Sequence, residues 1–421
     1  MNAIEKIHSL DAFGSRPGLD RIQRFLDILG NPQDKLKFIH VAGTNGKGST
    51  CRILSSVLVD AGYKTGLFIS PYIVDFRERI QINNEMINEE VLEDAVARTF
   101  PILEKLRAED CVITEFEYVT ALEFLIHAEA ECDVVVLETG MGGLLDCTNV
   151  IEPPLCSVIT TIGIDHTAVL GSTITEISEQ KCGIIKSGSA AVTSNQVPDA
   201  MRYIENDCRE KGVELHKSSD VAVEVVERSL YGTKLRYNGL ELFLPLVGDH
   251  QIENAKTALA ALEVVKRSFD ISDENLVNGF KYTTNPARFE PLSDNPTVIL
   301  DGAHNPNGVE ALVNAVKRYI GTDGILILGM LADKDSLTSV KLLREVFDTV
   351  YTVPVNNPRA LSGAQLGEKC RVFFPEVKVF DSAFDAFDEA LDRAKTENRP
   401  VVIAGSLYLA GEIRPYIISK T

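Results

Sequence analysis

Short apolar runs alternate along the chain with stretches whose apolar residues recur every three or four positions. That alternation is the pattern of a parallel sheet covered by helices. In the first part of the chain, runs at 37–42, 65–69, 133–137, 155–161 and 189–193 predict strands. Helices are expected at about 46–61, 88–106, 117–130 and 254–268. Residues 221–245 alternate apolar and polar positions around Tyr231-Gly232, which predicts a small antiparallel meander. A second alternation starts near Thr297, with strands at 297–300, 324–328, 349–353, 377–380 and 401–404. Helices fall between them, including 308–319 and 383–395. The segment 282–296 holds three prolines and two asparagines with little periodicity, and reads as a domain linker.

Composition narrows the function classes. Forty-two basic residues against sixty-one acidic ones leave 421 residues with a net charge of 42 − 61 = −19. At 45% hydrophobic and 24% charged, the chain is globular rather than disordered. A chain this acidic is a poor counter-ion for nucleic acid, so an anionic substrate must be held by local basic residues or a metal. The first ten residues lack a signal peptide's apolar core, and no apolar run reaches a membrane-spanning length. The eight cysteines form no CxxC pair and sit mostly in apolar stretches. A reduced, cytoplasmic protein without membrane or nucleic-acid partners is expected, acting as a monomer.

The strongest chemical signal is residues 37–50, KFIHVAGTNGKGST, in which an apolar strand enters a glycine-rich turn, a lysine, then hydroxyls opening a helix. Such a turn lets backbone N–H groups curl around phosphate oxygens at a helix N-terminus, with Lys47 reaching the terminal phosphates. The spacing is not the common GxxxxGK[ST], because Val41 stands at the first glycine and Gly48 separates Lys47 from Ser49. Asp133–Glu138 (DVVVLE) is a buried-type strand ending in a carboxylate beside this loop. Glu138 is therefore read as a magnesium ligand rather than a helix cap. Asp165-His166, after another strand, reads either as a metal ligand or as a buried hydrogen-bonded pair. Arg77-Glu78-Arg79 is either a solvated charge run or the anion clamp that composition demands. Asp301 and His304 end a strand of the second half and either face a ligand or cap the next helix.

Taken in order, these segments resemble the folylpolyglutamate synthase/dihydrofolate synthase family, a branch of the Mur ligases. The likeness rests on LGNPQ at 29–33, HVAGTNGKGST at 40–50, SPYIVDFRERI at 70–80 and TEFE at 114–117. It continues through LDCTN at 145–149, IDHT at 164–167, KCGIIK at 181–186, LDGAHNP at 300–306, PRALS at 358–362 and GSLYLAG at 405–411. The resemblance implies two α/β domains. One is a P-loop mononucleotide-binding parallel sheet with the meander (1–288), the other a Rossmann-like glutamate-ligase domain (289–421). It implies ATP-dependent amide formation between a folate or dihydropteroate carboxylate and L-glutamate, through an acyl phosphate and with Mg2+. Thr44, Asn45, Gly46, Lys47, Gly48, Ser49 and Thr50 would then bind ATP with Asn254, Arg288, Asp301 and His304. Ser70, Glu138 and His166 would ligate magnesium, and Lys181 would be carbamylated and catalytic beside Lys47 and His166. Arg79 and Ser406 would belong to the folate or glutamate site, with the Phe116 region facing the pterin.

Several positions depart from the pattern. Leu144 stands where relatives carry arginine, Tyr72 where histidine is common, Asn285-Pro286-Ala287 for Trp-Pro-Gly, and Cys182 for alanine. The competing readings are a Mur-type ligase acting on a peptidoglycan precursor and a P-loop NTPase switch. A switch would leave the 301–306 and 405–411 segments without a role, and the 70–80 and 114–117 segments favour folate over a wall precursor.

Overall fold

The computed structural model describes residues 1–10 and 18–420. Eight strands make the first sheet: β1 (Phe38–Ala42), β2 (Thr65–Phe68), β3 (Ile80–Ile82), β4 (Glu85–Met86), β5 (Val134–Glu138), β6 (Cys156–Ile159), β7 (Ala190–Thr193) and β8 (Glu214–Lys217). Their order is β4-β3-β2-β5-β1-β6-β7-β8. Pairing is parallel from β2 to β8, while β3 and β4 add an antiparallel hairpin at one edge. The central strands are unbroken apolar runs because both faces are covered. Ile39, Val41, Val134 and Val136 join one hydrophobic cluster, and the alternate residues Phe38, Val135 and Leu137 join the other. The Lys47–Asp60 and Asp249–Val265 helices cover the first face; Asp20–Leu29, Glu89–Ala108 and Glu115–Glu129 cover the second.

The expected meander is present as β9 (Glu224–Ser229), β10 (Gly232–Tyr237) and β11 (Leu240–Leu244), antiparallel in the order β11-β10-β9. The second sheet contains β12 (Glu290–Asp294), β13 (Thr297–Leu300), β14 (Gly324–Leu328), β15 (Phe347–Thr352), β16 (Glu376–Val379) and β17 (Val401–Ala404). Its order is β12-β13-β17-β14-β15-β16, parallel except for β12. Here the sequence expectation needs correcting. The segment 282–296 is not all linker, because Glu290–Asp294 pairs with β13 as an edge strand. An edge strand, with a register shift after Pro291, is where a strand tolerates a proline.

Residues from both halves meet. Leu230 of the meander turn packs into the core of the second sheet, and the Tyr231 hydroxyl bonds Asp294 at 2.5 Å. Arg318, on the Pro306–Tyr319 helix, pairs with Asp249 at 2.7 Å. Asn285 Nδ2 donates to Ser49 Oγ at 2.9 Å, laying the connecting segment over the phosphate-type loop.

Candidate active site

β1 lies between β5 and β6, so the polar residues that follow these strands emerge together at one sheet edge. Ligands of open α/β sheets bind at such an edge, where the connections diverge to opposite faces. After β1 the chain turns through Gly43–Gly46 into the Lys47–Asp60 helix, with Gly46 as its cap at φ 91°. Glycine is required there, since a Cβ would overlap Asn254 Oδ1. Thr44 anchors the turn by donating its hydroxyl to Gly163 O and accepting from Gly163 N–H, each at 3.0 Å. The Thr44 and Asn45 N–H groups both donate to Thr161 O.

Two lysines converge on one carbonyl. Lys47 Nζ donates to Gly43 O at 3.1 Å and lies 3.4 Å from Thr44 O, while Lys181 Nζ donates to Gly43 O at 2.9 Å. Lys181 is only 3% exposed. Burial and the nearby Lys47 cation pull its pKa down to about 7. Glu138, at the end of β5, stands 3.9 Å from Lys47 Nζ and accepts the Ser70 N–H at 3.2 Å. Burial raises its pKa, against the pull of Lys47. The Gly48 Cα faces the same carboxylate, where a Cβ would sit 3.6 Å from Oε2.

The remaining expected residues divide into two groups. On the nucleotide side, Asn254 is fixed by Gln251 at 2.9 Å, and the charge of Arg288 acts on Glu138, Asp301 and His304. Asp301 caps no helix: Oδ2 accepts Phe289 N–H and Oδ1 accepts Ala303 N–H, both at 2.7 Å. Asn305 is the helix cap instead. His304 Nδ1 meets Gly302 O at 2.8 Å, and burial lowers its pKa to about 4. A cavity of about 690 Å³ opens next to these groups, between His250 of one half and Asn307, Asn314 and Arg318 of the other. His166 is half exposed, 3.9 Å from Asp165, so the buried-pair reading does not hold.

On the other side, Arg79 stacks on Tyr72 and Phe76, with its carbon centre 5.2 and 5.6 Å from their ring centroids. Its Nε is buried without a partner. Phe116 lies against Gly140, where a Cβ would overlap the ring. The Ser406 hydroxyl accepts the Tyr408 N–H at 3.1 Å at the start of the last helix.

Among the described residues no three His, Cys, Asp or Glu side chains converge as a metal cage. A buried carboxylate with a hydroxyl residue beside it nonetheless suits Mg2+, which takes one or two carboxylates and completes its shell with phosphate and water. Sequence reasoning missed a buried support. His40 Nε2 meets Thr148 Oγ1 at 2.8 Å, and that hydroxyl donates to Asp146 Oδ1 at 2.6 Å. Asp146 also accepts Met141 N–H at 2.8 Å, tying down the glycine-rich loop after Glu138. The LDCTN motif was the only signal pointing there.

The Mur ligase middle-domain family matches residues 41–262, and the Mur ligase glutamate ligase domain matches 287–407. The folylpolyglutamate synthase of Lacticaseibacillus casei is 38% identical, over 98% of this chain and 97% of its own. The dihydrofolate synthase/folylpolyglutamate synthase of Bacillus subtilis is 36% identical, over 97% and 96%. Mycobacterium tuberculosis folylpolyglutamate synthase, crystallised with ADP and AMPPCP, superposes with a TM-score of 0.90 at 31% identity, covering 99% of each chain.

Proposed function

The chain belongs to the folylpolyglutamate synthase/dihydrofolate synthase family of ATP-dependent, ADP-forming ligases, and from that premise we propose how its cleft joins L-glutamate to a folate or dihydropteroate carboxylate. One observation carries the assignment: Lys47 and Lys181 meet at the Gly43 carbonyl with Glu138 beside them, at the sheet edge over which Asn285 of the connecting segment is laid.

In this reading Thr44 to Thr50 cradle the terminal phosphates, and Lys47 exchanges its loop carbonyls for phosphate oxygens. Asn254, Arg288, Asp301 and His304 hold the rest of the nucleotide. Glu138, Ser70 and His166 hold Mg2+, which supplies charge stabilisation to the transferred phosphoryl group when bound. The acceptor carboxylate attacks the γ-phosphorus and ADP leaves; the glutamate amine then attacks the acyl carbon and phosphate leaves. Positioning and preorganised charge supply most of the catalysis. A Lys181 pKa near 7 keeps a large share of the amine neutral, the form that adds to CO2, which supports a carbamylated Lys181. Arg79 is assigned to a substrate carboxylate, Phe116 to the face of the pterin and Ser406 to the wall of the same site.

We take 1–288 and 289–421 as the two working domains, and the protein as a cytoplasmic monomer acting on small molecules without nucleic acid. The net charge of −19 supports the last point, and no described helix is long and apolar enough to cross a membrane. The test is ADP release with ATP, Mg2+ and glutamate, with and without dihydropteroate or tetrahydrofolate. Release is expected only with acceptor and glutamate together. Acceptor-independent hydrolysis would indicate a switch, and turnover only with a nucleotide-linked peptide would indicate a wall-precursor ligase.

A further inference from the structure

In the step above a carboxylate must approach a triphosphate, and Lys47, Arg288 and the metal are all committed to the nucleotide. With Arg79 assigned to one substrate carboxylate, Arg52 is a further buried cation to which that assignment gives no role. It lies on the Lys47–Asp60 helix four residues after Gly48, hence on the same face. A helical side chain leans toward the preceding turn, which directs Arg52 toward the phosphate-loop end of the helix, where Gly48 lies against the Glu138 carboxylate.

Arg52 is largely surrounded by protein yet not fully buried, and no described residue hydrogen-bonds or ion-pairs with its side chain. The opposite charges acting on it most are Glu78 of the 70–80 segment and Glu138, and Arg288 repels it. Both carboxylates are occupied. Glu78 accepts N–H bonds from Ile73, Val74 and Asp75, each at 2.8–3.0 Å, and Glu138 accepts that of Ser70. Burial pulls the Arg52 pKa below the ordinary arginine value, so the cation is desolvated without a paired anion. Glu78 is the first of the opposite charges pulling on it, which ties Arg52 to the 70–80 segment as well as to Glu138.

We propose that Arg52 is a further catalytic residue, donating its fork of N–H groups to the acceptor carboxylate as that group attacks the nucleotide. The proposal rests on the ligase reading. In the step it serves, one carboxylate oxygen forms a bond to the γ-phosphorus while the bond from that phosphorus to the β,γ-bridging oxygen breaks. ADP keeps the electron pair, no proton moves, and total charge is conserved. The fork geometry suits a carboxylate and offsets its repulsion from the triphosphate.

The experiment compares wild type, Arg52→Lys, Arg52→Gln and Arg52→Ala. It measures kcat/KM for dihydropteroate and tetrahydrofolate, the KM for ATP, and equilibrium affinity for a non-hydrolysable ATP analogue. Arg52→Gln is expected to lose about 10- to 100-fold in kcat/KM for the acceptor, the range of one charge-assisted contact, with nucleotide affinity within about twofold. Arg52→Lys should recover part of the loss, and millimolar guanidinium should partly rescue Arg52→Ala, which a merely structural role would not allow. A folded Arg52→Gln with full acceptor kcat/KM, or with its loss confined to nucleotide affinity, overturns the proposal. A wild-type protein inactive with every folate acceptor overturns the ligase reading itself, so the two failures are distinct.

Discussion

Replacing Lys181 with methionine keeps an unbranched side chain only one atom shorter and removes its ionisable amine. In the folded protein that amine titrates at about 7, whereas an unfolded lysine titrates near 10.4. Below pH 7 both states hold the proton, and the folded state carries the full cost of a buried cation. Between the two values the unfolded chain still binds a proton the folded chain has released, so stability rises with pH; above both, the cost is gone. The wild type is therefore penalised by about 5 kcal/mol at pH 6 and about 2 kcal/mol at pH 9. Methionine removes that penalty and loses the bond to Gly43 O, worth about 1 kcal/mol. Lys181→Met should be more stable than wild type by urea unfolding, with an advantage that shrinks by about 3 kcal/mol from pH 6 to pH 9. The measurements belong in CO2-free buffer, because an adduct on the amine changes the titration. Turnover should be lost at every pH. A stability difference that stays flat across this range refutes the argument, since the amine would then titrate near its ordinary value despite its burial.

Lys47→Ala should abolish ADP release while leaving the melting temperature near that of wild type, because Lys47 touches loop carbonyls and Glu138 rather than core; normal turnover in the folded variant removes the loop from the mechanism. Gly46→Ala should cost about 1–2 kcal/mol for its left-handed conformation and weaken nucleotide binding by displacing Asn254, read by urea unfolding and by titration with an ATP analogue. His127 Nε2 faces the Gln81 carbonyl at 3.0 Å and so carries a proton, leaving Nδ1 to share another with buried Glu123 at 2.8 Å. Glu123→Ala should cost about 3–5 kcal/mol and Glu123→Gln less than half of that, because an amide still satisfies the ring; equal losses in urea unfolding would contradict a shared proton.

The phosphate loop and Glu138 were legible in the sequence because their signals are local: a buried strand, a turn, a lysine, a strand-end carboxylate. Lys181 and Asn254 lie far along the chain from the loop they touch, and only the family likeness placed them there. Arg52 gave no signal, since an arginine in the second turn of a helix reads as a solvated face until it is seen to be desolvated and without a paired anion. The β3–β4 hairpin is too short for periodicity, and the prolines of 282–296 concealed β12, whose edge position makes them harmless.

Ala287 and Phe289, neither of them glycine, hold φ at +56° and +47° on either side of Arg288. Asp301 fixes the second of these by accepting the Phe289 N–H, and Gly302 fixes the first by donating to Ala287 O. Arg288 thus rides on a sprung pivot whose catches both sit at the end of β13. Ala287 and Phe289 also pack into the cores of the second sheet, so were the second half to swing away, pivot and catches would travel with it and the guanidinium would be carried out of the cleft. The angle between the two halves and the presence of a cation at the nucleotide are on this account one mechanical variable, so that an open molecule is also a disarmed one.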